Sequence, residues 1–595
     1  MSWLDSAYVR ACRAAGRISG LKREKCATDE LRENIELAAL GIQPSEVVAL
    51  TLLATSVFAG LVAVAAVFLI AACLPLLAFV LLAPAPLFAY AISGWYPKWR
   101  AEHERIRGLG EVPQFINYLT MSMKTASNLE RATQFAAENI GGSLGQRLRK
   151  LLLEVGLRAH ASVDEALVKF ANRWGRWRED FKRSVYLIRS SVLERSELRR
   201  LEVLDKALDV CLQGTREQME RFAAGLHLPT LIIYSIGVLL PLVLVAVLPV
   251  LSTVGVCVSA WHIFAIYCVI LPLVVWALSR QVLAKRPAAF TPPEVPTKMM
   301  NWKAITIATT AGLAAASPLI AWTLGVRIPH DILVLSGLWS ATLGVSIYFY
   351  LATAEACELR GETVKIEHEL PDALSQLGNR ISEGRPAEDA LERVAETMRG
   401  GEICEVFGRA SANIRIGGLG LRAALFDEER GALKHVYSRT VKSTFRMLVD
   451  VVQRSTRAAG DAILRIARHL KELQRVEADV RRSLGEIVSS MRSVALFFAP
   501  LIAAVTSRMQ GVLTKTAAGG AFLGGGAVSP SLFLLVLGIY VVMLAAILIS
   551  YSTEIEVGND ALAKCAAIAR GLPLALAVFT IGAIVGGQML STIIG

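Results

Sequence analysis

Forty-seven consecutive residues, Val47 to Ser93, carry no charged side chain. A run of that length constrains the chain more than any motif in it. An apolar helix of ~20 residues crosses the ~30 Å hydrocarbon core of a bilayer, so the run predicts two spans joined by a tight turn near Ala71 to Pro75. Further uncharged stretches lie at about 230–251, 259–279, 304–326, 332–353, 493–507, 529–552 and 571–595. Together they predict nine transmembrane helices in an all-α, polytopic membrane protein. Composition agrees: 54% of residues are hydrophobic and 19% charged, against ~45–50% and ~25% in soluble domains. That balance excludes an ordinary soluble enzyme, a disordered chain and a disulfide-rich secreted domain.

The chain is nonetheless basic, with 63 Lys and Arg against 51 Asp and Glu and a net charge of +12. Basic residues concentrate in cytoplasmic loops of membrane proteins. With the N-terminus inside, nine crossings place 60 of the 63 on the cytoplasmic side; Arg327, Arg508 and Lys515 fall elsewhere. The short flanks carry most of the weight: Lys98, Arg100, Arg280, Lys285, Arg286, Lys298 and Lys303 all sit just inside. The expected order is a cytoplasmic N-terminal segment (1–46), spans 1–2 (47–96), a cytoplasmic helical domain (97–228) and spans 3–4 (229–279). A cytoplasmic linker (280–303), spans 5–6 (304–353), a second helical domain (354–492) and spans 7–9 (493–595) follow, leaving the C-terminus outside. The first 45 residues mix seven basic with six acidic residues and lack an apolar core, so they do not read as a signal peptide. The nine cysteines show no Cys-x-x-Cys spacing, which predicts free, packed thiols.

A shift of 258 residues lays one part of the chain on another. Glu111-Val-Pro113 falls on Glu369-Leu-Pro371, Leu119 on Leu377, Glu130 on Glu388, Ala132 on Ala390, Ala137-Glu138 on Ala395-Glu396 and Gly142 on Gly400. Pro241, within a span, lands one residue from Pro500. Each unit therefore reads span–span–helical domain–span–span, duplicated in the same orientation, with the ninth span extra. Within the domains, Val112, Phe115, Ile116, Leu119 and Met123 follow helical spacing. Ser127-Asn-Leu-Glu130 and Ser162-Val-Asp-Glu165 fit capping boxes, and Pro386 suits a first helical position. Helical hairpin turns are expected near 126–128 and 384–386. The stripe Ile463, Ile466, Leu470, Leu473, Val480, Leu484, Ile487, Met491 and Val494 continues toward Pro500 without a break. It fits a bundle core helix that runs into the membrane.

Catalytic chemistry is missing. Gly141-Gly-Ser-Leu-Gly145 and Gly417-Gly-Leu-Gly420 lack the lysine and hydroxyl of a phosphate loop and read as helix ends or turns. The eight histidines are scattered with no ligand spacing. No metal, cofactor or enzymatic activity is expected. His262 and Arg508 are the only clear ionisable residues within spans, both near outer ends, so a polar pathway for a transporter or channel, the alternative reading, finds little support. The densest basic patch is Arg173, Arg176, Arg178, Lys182 and Arg183, interleaved with Trp174 and Trp177. It suits anionic lipid headgroups or an acidic protein partner. Tethering to the membrane and the near-balanced charge of 354–492 argue against nucleic acid.

These residues carry a resemblance. A helical domain opens with Glu-x-Pro, turns at Gly384-Arg-Pro386-Ala-Glu-Asp-Ala390-Leu391 and feeds a proline-containing span, twice in one chain. It resembles the assembly platform proteins of type II secretion (protein F) and type IV pilus machines. The two-copy, nine-span form looks most like the archaeal branch that serves archaella and adhesion pili. Ala126 stands where the first copy should have its turn glycine. The resemblance implies a non-enzymatic, multi-pass protein of the cytoplasmic membrane at the filament base. A separate hexameric secretion ATPase would dock on its cytoplasmic domains, at Arg173, Arg176, Arg178, Lys182 and Arg183 on this reading, and pilin or archaellin subunits would pass from the membrane into the filament. Membrane lipids are further partners, and a homodimer is allowed. Glu111, Pro113, Glu369, Pro371, Gly384 and Pro386 are then the family's turn and helix-start residues, and Pro241 and Pro500 its span prolines.

Overall fold

The computed structural model describes residues 3–19, 28–38, 40–71, 85–125, 127–253, 260–287, 292–293, 295–296, 302–453, 456–518 and 529–594. The expected turn after Ala71, Ala126, and Cys26, Cys73 and Cys257 lie outside them. Among the described residues the chain is all helix, with no strand. It divides into two compact units, 1–112 with 141–148, and 113–140 with 149–595. The division falls inside the segment 97–228 rather than at its edge.

The first unit holds α1 (Trp3–Ser19), α2 (Asp29–Ala38), α3 (Pro44–Ala71) and α4 (Ala85–Gly110). In α4, Pro97 has no N–H, so the carbonyl four residues back, that of Ser93, loses its helical donor. The Tyr8 hydroxyl of α1 donates to it at 2.8 Å.

The second unit begins with α5 (Val112–Thr125), α6 (Leu129–Asn139), α7 (Gly142–Gly156, shared between the units), α8 (Val163–Gly175), α9 (Glu179–Val192) and α10 (Glu197–Gly225). From α10 the helix runs on through Leu226 into the apolar segment that ends at Thr253, interrupted only by π-helical Ser235–Leu239. Then come α11 (Ala260–Leu283), α12 (Trp302–Ala315), α13 (Ser317–Thr323) and α14 (His330–Ser382). The second helical region adds α15 (Ala387–Thr397), α16 (Glu402–Arg415), α17 (Leu421–Phe426), α18 (Arg439–Val452) and α19 (Thr456–Ser493). α19 continues through π-helical Val494–Phe498 into α20 (Ala499–Ala518), followed by α21 (Pro530–Val557) and α22 (Ala561–Ile594).

Six of these helices are long and apolar enough to cross a membrane, and α12 with α13, bent by 56°, makes a seventh if taken as one span. They coincide with the third to ninth predicted spans. Of the first two, α3 is apolar over Pro44–Gly60, and the whole stretch between α3 and α4, residues 72–84, lies outside the described residues. The chain is thus a multi-pass, all-α membrane protein.

Helix α14 crosses between span and bundle as one α-helix, and α19, like α10, does so through its π-helical turn. The bundle portions of α14 and α19 pair closely because Gly378 faces Gly460. A Cβ on Gly460 would come within 2.5 Å of the Ser382 backbone nitrogen, and one on Gly378 within 3.1 Å of the Gly460 carbonyl oxygen. Around this crossing Leu377, Ile381, Leu391, Phe407, Phe445, Ile463 and Leu470 form a continuous core. Burial of each such side chain contributes about 1.5–3 kcal/mol.

Local cap chemistry departs from expectation in two places. Asn128, not Ser127, caps α6, its side-chain oxygen accepting from Arg131 N at 3.1 Å. Pro386 occupies the cap position of α15 instead of its first turn, one residue earlier than expected. Gly384 turns with φ +89, a conformation that glycine adopts without the steric cost a Cβ brings. Ser162 caps α8 as expected, and Glu165 reaches back to Ala161 N at 3.2 Å.

Candidate functional site

The basic patch predicted at 173–183 divides into a surface and an anchor. Arg173, Arg176 and Arg183 are exposed, and Lys182 is half-buried. Arg178 is not on the surface. It is 2% exposed, pairs with Asp180 and donates to Thr215 Oγ1 at 2.8 Å. A buried guanidinium needs such partners, and here it fastens the start of α9 to α10. Trp174 is also interior, 1% exposed, edge-on to Trp177 at 6.0 Å and packed near Phe170. The expected arginine–tryptophan surface is therefore an arginine surface over an aromatic base.

The structure adds residues that the linear patch did not contain. A groove of about 510 Å³ runs along α9, lined by Glu179, Lys182, Arg183, Tyr186, Leu187, Lys206 and Val210. Lys206 and Val210 come from α10, so chain proximity gave no hint of them. Arg183 pairs with Glu179 at 2.7 Å, and the Lys182 ammonium lies 5.9 Å from the Tyr186 ring centre. The groove combines three cations with an aromatic ring and apolar walls, which suits an acidic protein segment.

The two Glu-x-Pro motifs do the same local work. The Glu111 carboxylate accepts from Leu144 N at 2.9 Å, and the Glu369 carboxylate accepts from Ile403 N at 2.9 Å. Each thus satisfies an orphan amide in the first turn of α7 or α16, where the helix dipole also favours negative charge. Gly142 and Gly401 make room: a Cβ on either would collide with the glutamate carboxylate. Pro113 lies in the first turn of α5, where its missing N–H is harmless. Pro371 lies inside α14 and orphans the Glu367 carbonyl, which accepts instead from the Gln474 side chain at 2.7 Å.

The span prolines show matching geometry. Pro241 follows the π-helical turn Ser235–Leu239, and Pro500 follows Val494–Phe498. The Gly237 carbonyl, orphaned by Pro241, accepts from the Tyr540 hydroxyl, and Tyr267 donates to the Pro241 carbonyl at 2.7 Å.

Within the second unit, helices of the two helical regions are joined by polar contacts. Arg446 donates to Asn139 at 3.1 Å, Arg216 pairs with Asp479 at 3.3 Å and Arg131 with Asp450 at 3.8 Å. Met121 enters the core built around α14 and α19. Beside it His469 is fully buried; burial, with Lys124 nearby, holds its imidazole well below the ordinary value and therefore neutral.

Arg508, one of the two ionisable residues expected within spans, pairs with Asp331 at 2.7 Å and donates to the Ala583 carbonyl at 2.8 Å. Among the described residues no three His, Cys, Asp or Glu side chains gather as a metal site.

Residues 373–506 match the family described as type II secretion system (T2SS), protein F. The chain carries a protein F domain there. It begins inside α14, just past Pro371, takes in α15 to α19 and ends in α20 beyond Pro500. No match was found among curated proteins or among solved structures. The protein F domain thus includes the Gly384 turn, the α16 helix that Glu369 caps and the junction of α19 with its span.

Proposed function

We propose that the chain is the cytoplasmic-membrane platform of a type IV pilus-like filament machine. In this role it couples a separate hexameric secretion ATPase to the insertion of pilin subunits, in an archaeal adhesion pilus or an archaellum. The observation that carries the reading is the protein F domain, which takes in the C-terminal end of α14 and all of α19, two helices that run from bundle to span. Family members work with a secretion ATPase and pilin subunits. A rigid helix of ~1.5 Å rise per residue transmits displacement along its axis, so motion imposed on the bundle reaches the membrane.

The regions 111–241 and 369–500 are, on this reading, two copies of one unit. Shared features support it: both glutamate caps, 11-residue helices at Leu129–Asn139 and Ala387–Thr397, 14-residue helices at Glu179–Val192 and Arg439–Val452, and π-turns ahead of both span prolines. The basic flanks support a topology with the N-terminus and both bundles inside and the C-terminus outside.

Arg173, Arg176, Lys182 and Arg183, with the groove that Lys206 completes, form the docking surface for the ATPase. Arg178 holds that surface in place. Full-length protein in nanodiscs should retain the secretion ATPase of the same machine. Replacing Arg173, Arg176 and Arg183 together with glutamate should weaken binding at least about tenfold and flatten its salt dependence. Unchanged affinity would remove this patch; failure of the unmodified protein to bind the ATPase would overturn the platform reading.

A further inference from the structure

The exposed face of α1 carries a charge pattern that ATPase docking and pilin transfer leave unused. Arg10, Arg13 and Arg17 recur at the three- and four-residue spacing of a single helix face. All three are exposed, as is Ala14 between them. The opposite face, Asp5, Val9, Cys12 and Ala15, is buried. Arg10 and Arg13 donate to backbone carbonyls, of Ser6 at 3.2 Å and Gly41 at 3.4 Å, and the described residues show no carboxylate paired with either.

Two sets of contacts fix the level of this helix. Near its start, Tyr8 donates to the Ser93 carbonyl, and Tyr96 donates to Asp5 at 2.8 Å. Near its end, Gly16 packs so closely on Glu46 that a Cβ would lie 3.1 Å from Glu46 Cγ. Glu46 precedes the uncharged stretch that starts at Val47, and Ser93 lies near its other end, five residues before Lys98. With α1 tied near both ends of that stretch, the reading of 47–96 as two spans puts it along the membrane boundary. Exposed aromatic side chains line the same end of α4: Tyr90 at 58%, Trp95 at 61% and Trp99 at 43%. Tryptophan and tyrosine exposed at the end of a span sit among lipid headgroups.

We propose that the Arg10–Arg13–Arg17 stripe of α1 binds the phosphates of anionic phospholipids and holds the N-terminal helix flat on the membrane surface. A guanidinium matches a phosphate in bidentate geometry. Lipid is the occupant the position favours, because headgroups surround a helix at this level. The proposal rests on the reading of 47–96 as two spans and is independent of the ATPase.

The test uses the full-length protein in nanodiscs of phosphatidylcholine with or without phosphatidylglycerol. Native mass spectrometry counts retained phosphatidylglycerol, and hydrogen exchange follows residues 3–19 and 50–70. Joint replacement of Arg10, Arg13 and Arg17 by glutamate should lower phosphatidylglycerol affinity by roughly a hundredfold and speed exchange in 3–19. The triple glutamine variant, which adds no repulsion, should lose a large part of that affinity, and the triple lysine variant should keep most of it. Equal phosphatidylglycerol retention in all three variants, with exchange in 3–19 indifferent to lipid charge, overturns the proposal. Rapid exchange through 50–70 would overturn the two-span reading and the proposal with it, whereas slow exchange there with an indifferent α1 overturns the stripe alone.

Discussion

The motifs Glu111-Val-Pro113 and Glu369-Leu-Pro371 share a capping role and sit in different backbones. At the first, the chain breaks: α4 ends at Gly110, Glu111 is a turn, and α5 starts at Val112. At the second, α14 passes through as part of a 53-residue helix. The flanking residues explain the contrast. Gly108 and Gly110 precede Glu111, and each glycine costs a helix about 1 kcal/mol relative to alanine. Ile366-Glu-His-Glu369 contains none. Pro371 would still tend to break α14, yet Gln474 supplies the donor that the proline ring removed. Helix continuity here is therefore a tertiary property, set by a side chain 107 positions from the carbonyl it serves, while the break at Glu111 is written locally.

The substitution with the largest expected effect attacks the helix pair that makes the second region continuous. Gly460→Leu forces a side chain into the Ser382 backbone and should destabilise the bundle by about 3 kcal/mol or more. Thermal unfolding in detergent would show it, and an unchanged midpoint would mean that the α14–α19 crossing is looser than its geometry indicates.

Next is the pH response of Glu367, which lies in α14 one turn before Pro371. Burial raises its carboxyl from the ordinary 4.5 to about 7. The Ser438 hydrogen bond and Arg481 oppose the shift and Glu477 adds to it. The folded state then holds this proton more tightly than the unfolded chain does. Stability from this group is full below about 4.5 and is lost as pH rises through about 7. The loss is at most about 3 kcal/mol, less where water reaches the carboxylate. Glu367→Gln should flatten the fall in melting temperature between acidic and mildly alkaline pH. A variant with the wild-type pH profile would assign the response to another group.

Much of this architecture was legible in the residues. Uncharged runs located the third to ninth spans because the bilayer tolerates little else, and the 3–4 spacing of Ile463 to Val494 announced α19. The candidate site was less legible. Arg178 and Trp174 read as surface beside Arg173 and Arg176, because local pattern does not say which residues Thr215 and Asp180 will draw inward. Lys206 was missed since α10 meets α9 only in the fold. The π-turns before Pro241 and Pro500 gave no signal beyond the prolines themselves.

A smaller effect separates the two backbones further. Gln474→Ala should cost about 1–3 kcal/mol, the usual penalty for stranding a buried carbonyl. Pro371→Ala restores an N–H to α14, so in that background Gln474→Ala should cost much less. A double-mutant cycle by chemical denaturation measures the coupling; additive costs would show that Gln474 does not serve the proline.

The glutamate caps should give the smallest effects, and these decide whether the two motifs are equivalent. Glu111→Ala and Glu369→Ala each remove a carboxylate from an orphan amide, at about 1 kcal/mol apiece. Equal penalties would mean that the cap works the same whether the chain before it is broken or continuous. A larger penalty at Glu369 is expected, because α14 carries that carboxylate on a rigid rod, so the lost contact cannot be replaced by a shift of the backbone. At Glu111 the turn after Gly110 can move to let another acceptor in. Hydrogen exchange at the Leu144 and Ile403 amides would separate the cases: fast exchange at Ile403 in Glu369→Ala, with a smaller change at Leu144 in Glu111→Ala, is the predicted outcome. The reverse order would mean that the broken helix, not the continuous one, depends more on its cap.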